Sequence, residues 1–253
     1  MKRLLTILLL AVSIVSRATV WHVATTGNDG TGDGTVGTPW LTIAYAISQS
    51  SSGDSIYVTA GTYNVTAQMS VPVEISIYGA GATSIIASSS AIQAIFLLES
   101  ATEGTDGSQS ISHLRMTGGD EVDYGIYVIA RSNVLIHDCE FDGFESTAIQ
   151  NRGGTSGGTG RPVTWATGNK IYNNTITDCG YDVLDGGTLW LAYGGGIQIT
   201  GQTECEVYSN DISNGEGYGW GIRCLNDSGF IKGTKIYDND ISEIGRASCR
   251  ERV

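Results

Sequence analysis

The chain has no CxxC pair and no cysteine–histidine cluster at metal-binding spacing, which excludes a zinc-finger type of module. No loop has EF-hand or nonapeptide calcium spacing. The apolar run Leu4 to Val15 is shorter than the roughly 20 residues needed to span a bilayer, so no membrane span is expected. Basic residues are scarce, 14 Lys and Arg against 26 Asp and Glu, which argues against nucleic acid or anionic membranes as partners. Helical periodicity is confined to one short segment around Trp40 to Ile47.

What the chain does have is a returning motif. It reads Ile136-His-Asp-Cys-Glu-Phe141, Ile171-Tyr-Asn-Asn-Thr-Ile176, Val207-Tyr-Ser-Asn-Asp-Ile212 and Ile236-Tyr-Asp-Asn-Asp-Ile241, after a degenerate copy at Ile111-Ser-His-Leu-Arg-Met116. Spacings of 25, 35, 36 and 29 residues, β-branched content and Asn/Gly punctuation predict an all-β solenoid of strands joined by turns. Alternation assigns inward columns to Val134, Cys205 and Thr234, to Ile136, Ile171, Val207 and Ile236, and to Met116, Phe141, Ile176, Ile212 and Ile241. Between them Cys139, Asn174, Asn210 and Asn239 align; the three asparagines predict a structural ladder at a tight turn, the residue type tolerating left-handed backbone. Companion strands begin at Gly125, Ala148, Gly196 and Gly221.

Both ends stand apart from this pattern. Lys2, Arg3, the apolar run and Ser16-Arg17-Ala18 predict a signal peptide over 1–18, hence a secreted or cell-surface protein. The segment Ile244 to Val253 breaks the repeat, and its ten residues resemble a translated sequencing adapter. The expected β-helix domain therefore covers 19–243 and is C-terminally truncated. Removing three positive charges of the leader and a net two of the tail from the formal −12 leaves −17 on that domain, suited to solubility or bound cations. Cys139 and Cys205, at inward positions, are expected as small buried hydrophobes rather than a disulfide framework, although export leaves room for one disulfide.

After a first strand at Val20 to Val23, Thr38 is expected to cap a short helix with Pro39 at its first position. Trp40, Ile43, Ala44 and Ile47 would form its apolar face and cover the first coil. The run Gly27-Asn-Asp, Thr38-Pro-Trp-Leu-Thr-Ile43, Gly53-Asp-Ser-Ile-Tyr-Val58 and Gly61-Thr-Tyr63 resembles the opening of secreted right-handed parallel β-helix proteins of the pectate-lyase-like superfamily. The resemblance spans roughly 20–243, strong in the opening and diffuse in the coils. It implies a right-handed parallel β-helix and a carbohydrate-related role.

Several side chains could carry such a role. Tyr127, Gln150, Gln198 and Arg223 form a polar outward column flanked by Trp220 and by long loops that hold Trp165, Asp182, Asp185 and Trp190. Aromatic rings stack on sugars while Gln and Arg bond hydroxyls or carboxylates, so Tyr127, Gln150, Gln198, Trp190 and Trp220 are candidate polysaccharide-binding residues. The resemblance implies either β-elimination, with Arg223 as base and Asp182 or Asp185 as Ca²⁺ ligands, or hydrolysis by Asp182, Asp185 and Asp227. Asp211 and Asp240, like charges on successive coils, are solvated or hold Ca²⁺. Lys170, Glu206 and Lys235 predict a surface charge ladder, and His113 and His137 read as lone outward histidines. A non-catalytic, adhesin-like solenoid is the alternative to an enzyme, since fold does not fix function.

Overall fold

The computed structural model describes residues 18–119, 121–154, 165–180, 194–213, 220–225 and 231–242. Three parallel sheets wrap one core. An eight-stranded sheet orders Val20–Val23, Ser55–Val58, Ser76–Gly79, Thr105–Ser112, Arg131–His137, Lys170–Tyr172, Glu206–Tyr208 and Lys235–Tyr237. A seven-stranded sheet runs through Gly61–Asn64, Ser84–Ala87, Arg115–Thr117, Glu140–Asp142, Thr175–Thr177, Asp211–Ser213 and Asp240–Ile241. A six-stranded sheet holds Met69–Ser70, Ile92–Glu99, Val122–Ile129, Thr147–Arg152, Gly195–Thr200 and Trp220–Leu225. A chain that returns to the same sheets coil after coil, with each strand parallel to its predecessor, is a parallel β-helix; such crossovers wind right-handed.

The repeat motif forms the first two sheets and the turn between them. Trp21, Ile56, Ile77, Ile111, Ile136, Ile171, Val207 and Ile236 are successive register partners. Across the turn Tyr63, Ile86, Met116, Phe141, Ile176, Ile212 and Ile241 do the same. Ile136, Ile171, Phe141 and Ile176 are each 1% exposed, a burial that stabilises by about 1.5–3 kcal/mol per side chain. Ile236 and Ile241, on the last described coil, are each 46% exposed. From the third sheet Phe96, Ile126, Ile149 and Ile197 complete the core.

Small residues where the sheets meet have a steric cause. A Cβ on Gly125 would lie 2.7 Å from the Phe141 ring, and one on Gly196 would lie 2.8 Å from Ile212.

The asparagine ladder is present. Asn174 Nδ2 donates to Asn210 Oδ1 (2.9 Å) and to the Ile136 carbonyl (3.1 Å); Asn210 Nδ2 donates to Asn239 Oδ1 (2.8 Å) and the Ile171 carbonyl (3.0 Å). The left-handed backbone falls one residue earlier than expected, on Asp138, Asn173, Ser209 and Asp238 (φ 53–55°). The turn thus splits its labour, with one residue bending the chain and the next bonding its neighbours. In the adjacent column Asn169 fills the place between Val134 and Cys205, its Oδ1 accepting from the Val134 N–H at 2.9 Å. Thr234 in that column is only partly buried.

The helix spans Ile43–Gln49 and is capped by Thr42, not Thr38. Thr38 donates its hydroxyl to Asp33, whose carboxyl is held down at about 2 by Thr38 and Thr35. Asp29 meanwhile accepts the Leu41 and Thr42 N–H groups (2.7 and 3.0 Å), fixing the entry to the helix later in the chain. Ile43, Ala46 and Ile47 join the core; Ala44 is exposed, and Trp40 is buried as a bridge partner of Val23 ahead of the helix. Cys139, Cys179 and Cys205 are buried free thiols, and Cys224 is an exposed one. The leader and the C-terminal segment lie outside the described residues, and no helix among them is long and apolar enough to cross a membrane.

Candidate functional site

The six-stranded sheet brings Tyr127, Gln150, Gln198 and Arg223 together as register partners on four consecutive coils. Neighbouring strands lie about 4.8 Å apart, so the four side chains make a continuous row. The row is not uniformly open, as the sequence had suggested. Tyr127 is 6% and Gln150 4% exposed, while Gln198 and Arg223 are half-buried. Tyr127 packs with Ala94 and Leu97 outside the main core, against Tyr124 and Ile129, and its hydroxyl lies 3.3 Å from Arg152 Nη1. The accessible part is therefore the Gln198–Arg223 end. There Trp220 lies against Gly195, where a Cβ would come within 2.7 Å of the indole, and Arg223 stacks over that ring at 5.5 Å. This cation–π contact orients the guanidinium.

The start of the same sheet's strands holds carboxylates that the sequence did not single out. The Glu145 N–H bonds the Val122 carbonyl (2.9 Å) and the Ser146 N–H bonds the Asp123 carbonyl (3.1 Å), drawing Asp123 and Glu145 to one edge of the sheet next to Tyr124. Burial raises the Asp123 carboxyl above its ordinary range. Burial also raises Glu145, reinforced by the charges of Asp123 and Glu121. A half-buried pair of acids with raised affinity for protons is the kind of group that can serve in proton transfer. Only folding could disclose them, because what raises them is cover from neighbouring coils.

Asp182, Asp185, Asp227 and Trp190 lie outside the described residues. Asp211 and Asp240 are register partners and both exposed. Among the described residues no third His, Cys, Asp or Glu ligand atom groups with them. Two carboxylates fall short of the six to eight oxygens Ca²⁺ takes.

Other surfaces carry regular features. Glu206 bridges Lys170 and Lys235 at 3.0 and 2.9 Å, the expected charge ladder. A groove of about 420 Å³ beside the seven-stranded sheet is lined by Asn64, Ser88, Thr117, Asp142 and Asp178. On the eight-stranded sheet, His137, Tyr172, Tyr208 and Tyr237 stack face to face at 4.7–5.0 Å, a run visible in the sequence as the residue after each motif's leading Ile or Val. Their faces are spent on one another.

No curated protein sequence matches the chain. Among solved structures, a rhamnogalacturonan lyase superposes with a TM-score of 0.51 at 15% identity, over 90% of this chain and 62% of its own. An alginate lyase from Paenibacillus sp. str. FPU-7 gives 0.48 at 15% identity, over 87% of this chain and 75% of that one. Pectin methylesterase PemA from Erwinia chrysanthemi gives 0.45 at 12% identity, over 91% and 66%. At these identities the likeness is one of fold, and the chain spans less than two thirds of the rhamnogalacturonan lyase. The family described as "Right handed beta helix region" matches residues 99–249, more than half of the chain, and the protein belongs to that family.

Proposed function

We propose that the protein is a secreted carbohydrate-active β-helix that binds an extracellular acidic polysaccharide along the outer face of the six-stranded sheet and cleaves it. The observation that carries this reading is the row Tyr127–Gln150–Gln198–Arg223 on the sheet whose edge also holds the part-buried carboxyls Asp123 and Glu145. Trp220 offers an apolar ring for a sugar face, Gln198 bonds hydroxyls, and Arg223 and Arg152 pair with uronate carboxylates. In the cleavage step one carboxyl of the pair donates a proton to the leaving glycosidic oxygen while the other assists on the opposite side of the bond, the division of labour of glycoside hydrolysis. Arg223 then positions substrate and does not serve as the β-elimination base, since a guanidinium keeps its proton. The leader pattern supports export, and the fold shared with a rhamnogalacturonan lyase supports a pectic class of substrate.

The test is incubation with a panel of acidic and neutral glycans. Hydrolysis yields new reducing ends without the absorbance of unsaturated uronates, and Glu145→Gln and Asp123→Asn abolish them. Growth of that absorbance instead would replace the hydrolytic step with β-elimination, and binding without products from any glycan would leave the non-catalytic, adhesin-like reading.

A further inference from the structure

The chain has three histidines, and two of them meet a carboxylate at a single turn. The bend between the eight- and seven-stranded sheets sets one residue per coil in left-handed backbone. On two adjacent coils that residue is His113 (φ 54°) and Asp138 (φ 53°). The His113 N–H donates to the His137 carbonyl at 3.4 Å, so the two bends sit one above the other. His137 ends its strand immediately before Asp138 and presents its ring to the same spot. The His113 and His137 rings meet edge to face at 5.8 Å, and one ligand atom from each of His113, His137 and Asp138 lies within 4.8 Å of the others.

His137 is held from three directions. Tyr172 lies flat on its ring at 4.7 Å and 4°, Ser110 Oγ is 3.0 Å from Nε2, and Asp138 Oδ2 is 2.6 Å from Nδ1. In the tautomer with Nδ1–H the ring donates to Asp138 and Ser110 donates to Nε2; in the other, with Ser110 accepting from Nε2–H, the lone pair of Nδ1 faces the carboxylate oxygen and the two atoms can share a cation. A divalent metal ion can take that place. Binding imidazoles are commonly fixed through their far nitrogen, the part Ser110 plays here. A tetrahedral ion with bonds of about 2.0 Å holds its ligands roughly 3.3 Å apart, an opening that the Asp138 side chain, 38% exposed, can make.

We propose that His113, His137 and Asp138 form a binding site for a first-row divalent transition-metal ion of the zinc type, with a remaining coordination position open to water. Two imidazoles and one carboxylate suit zinc, copper or nickel; calcium, which seeks oxygen ligands, is excluded by the same donor set. The contacts Ser110–His137–Asp138 also have the order of a nucleophile, base and orienting acid. That reading leaves His113 without a part, and the Ser110 N–H is already spent on Ser76 Oγ at 3.0 Å. The metal reading uses every member of the cluster.

The experiment is calorimetric titration of Zn²⁺ into the full chain after chelator treatment, with far-UV circular dichroism confirming that each variant is folded. Asparagine tolerates left-handed backbone, so His113→Asn and Asp138→Asn remove ligands without straining the bend. One ion per chain is expected, with affinity falling at least tenfold in either variant and unchanged in His22→Ala. In a Cu²⁺-loaded sample, paramagnetic resonance should show nitrogen coupling from two imidazoles, and from one in His113→Asn. Absence of binding, or binding that survives His113→Asn, would overturn the proposal. Ester hydrolysis lost in Ser110→Ala but kept in His113→Asn, with no ion bound, would replace it with the nucleophilic reading.

Discussion

Asn210 Oδ1 accepts both the Asn174 backbone N–H (3.1 Å) and the Asn174 side-chain amide (2.9 Å), so one buried oxygen satisfies two donors of the coil before it. Asn210→Ala removes that acceptor and also the donor to the Ile171 and Tyr208 carbonyls. Orphaned buried groups cost about 1–3 kcal/mol each, and water reaches few of them here. The variant should lose about 3 kcal/mol, and Asn239→Ala, at the more exposed end, should lose less. Urea unfolding midpoints at constant m check both.

Arg131 is 2% exposed and donates to the carbonyls of Val71 (2.8 Å) and Glu99, to Gln109 Oε1 (2.8 Å) and to Ser100 Oγ (3.0 Å). Burial brings its guanidinium down to about 10, still charged at neutral pH. Arg131→Met keeps much of the volume but strands those acceptors, so a loss of about 2–4 kcal/mol is expected from the same denaturation measurement.

Burial pushes the Cys139, Cys179 and Cys205 thiols up to about 12; partial cover raises Cys224 as well, but its residue is exposed to reagent. Since the thiolate is the reactive form, a maleimide pulse on folded protein at mild pH should label Cys224 first, as read by peptide mass spectrometry. The other three should react only in denaturant. Labelling of Cys205 in the folded state would mean that the coil pairing around it is wrong.

Asp123 and Glu145 bind protons more tightly folded than unfolded. The folded state then holds the extra protons, so their contribution to stability is greatest below about pH 4 and declines as pH rises through the raised values. Replacing both, as Asp123→Asn with Glu145→Gln, should leave stability near pH 4 little changed and raise it relative to wild type at pH 7. A pH series of thermal midpoints shows whether the gap opens in that direction.

The coils themselves were legible in the sequence because a strand buries every second residue and the motif repeats its Ile, Asn and Ile at fixed offsets. Register followed from that offset alone, which is why Gln150, Gln198 and Arg223 were aligned correctly. What escaped depends on contacts between distant segments. Asp29, thirteen residues upstream, decides that Thr42 caps the helix. The burial of Tyr127 comes from Ala94 and Leu97 on the preceding coil, and the raised carboxyl of Glu145 from burial first and then from the charges of Asp123 and Glu121. His113 and His137 looked solitary because 24 residues of coil separate two positions that the bend stacks together.

The central claim, that glycan lies along the six-stranded sheet, is tested most directly by titrating an acidic oligosaccharide that the wild type binds into Gln198→Ala, Arg223→Ala and Tyr208→Ala. Gln198 and Arg223 stand in the proposed row, and Tyr208 belongs to the aromatic stack of the eight-stranded sheet. Affinity should fall at least tenfold in the first two and hold in the third. Unchanged affinity in Gln198→Ala and Arg223→Ala, or a loss confined to Tyr208→Ala, would contradict it.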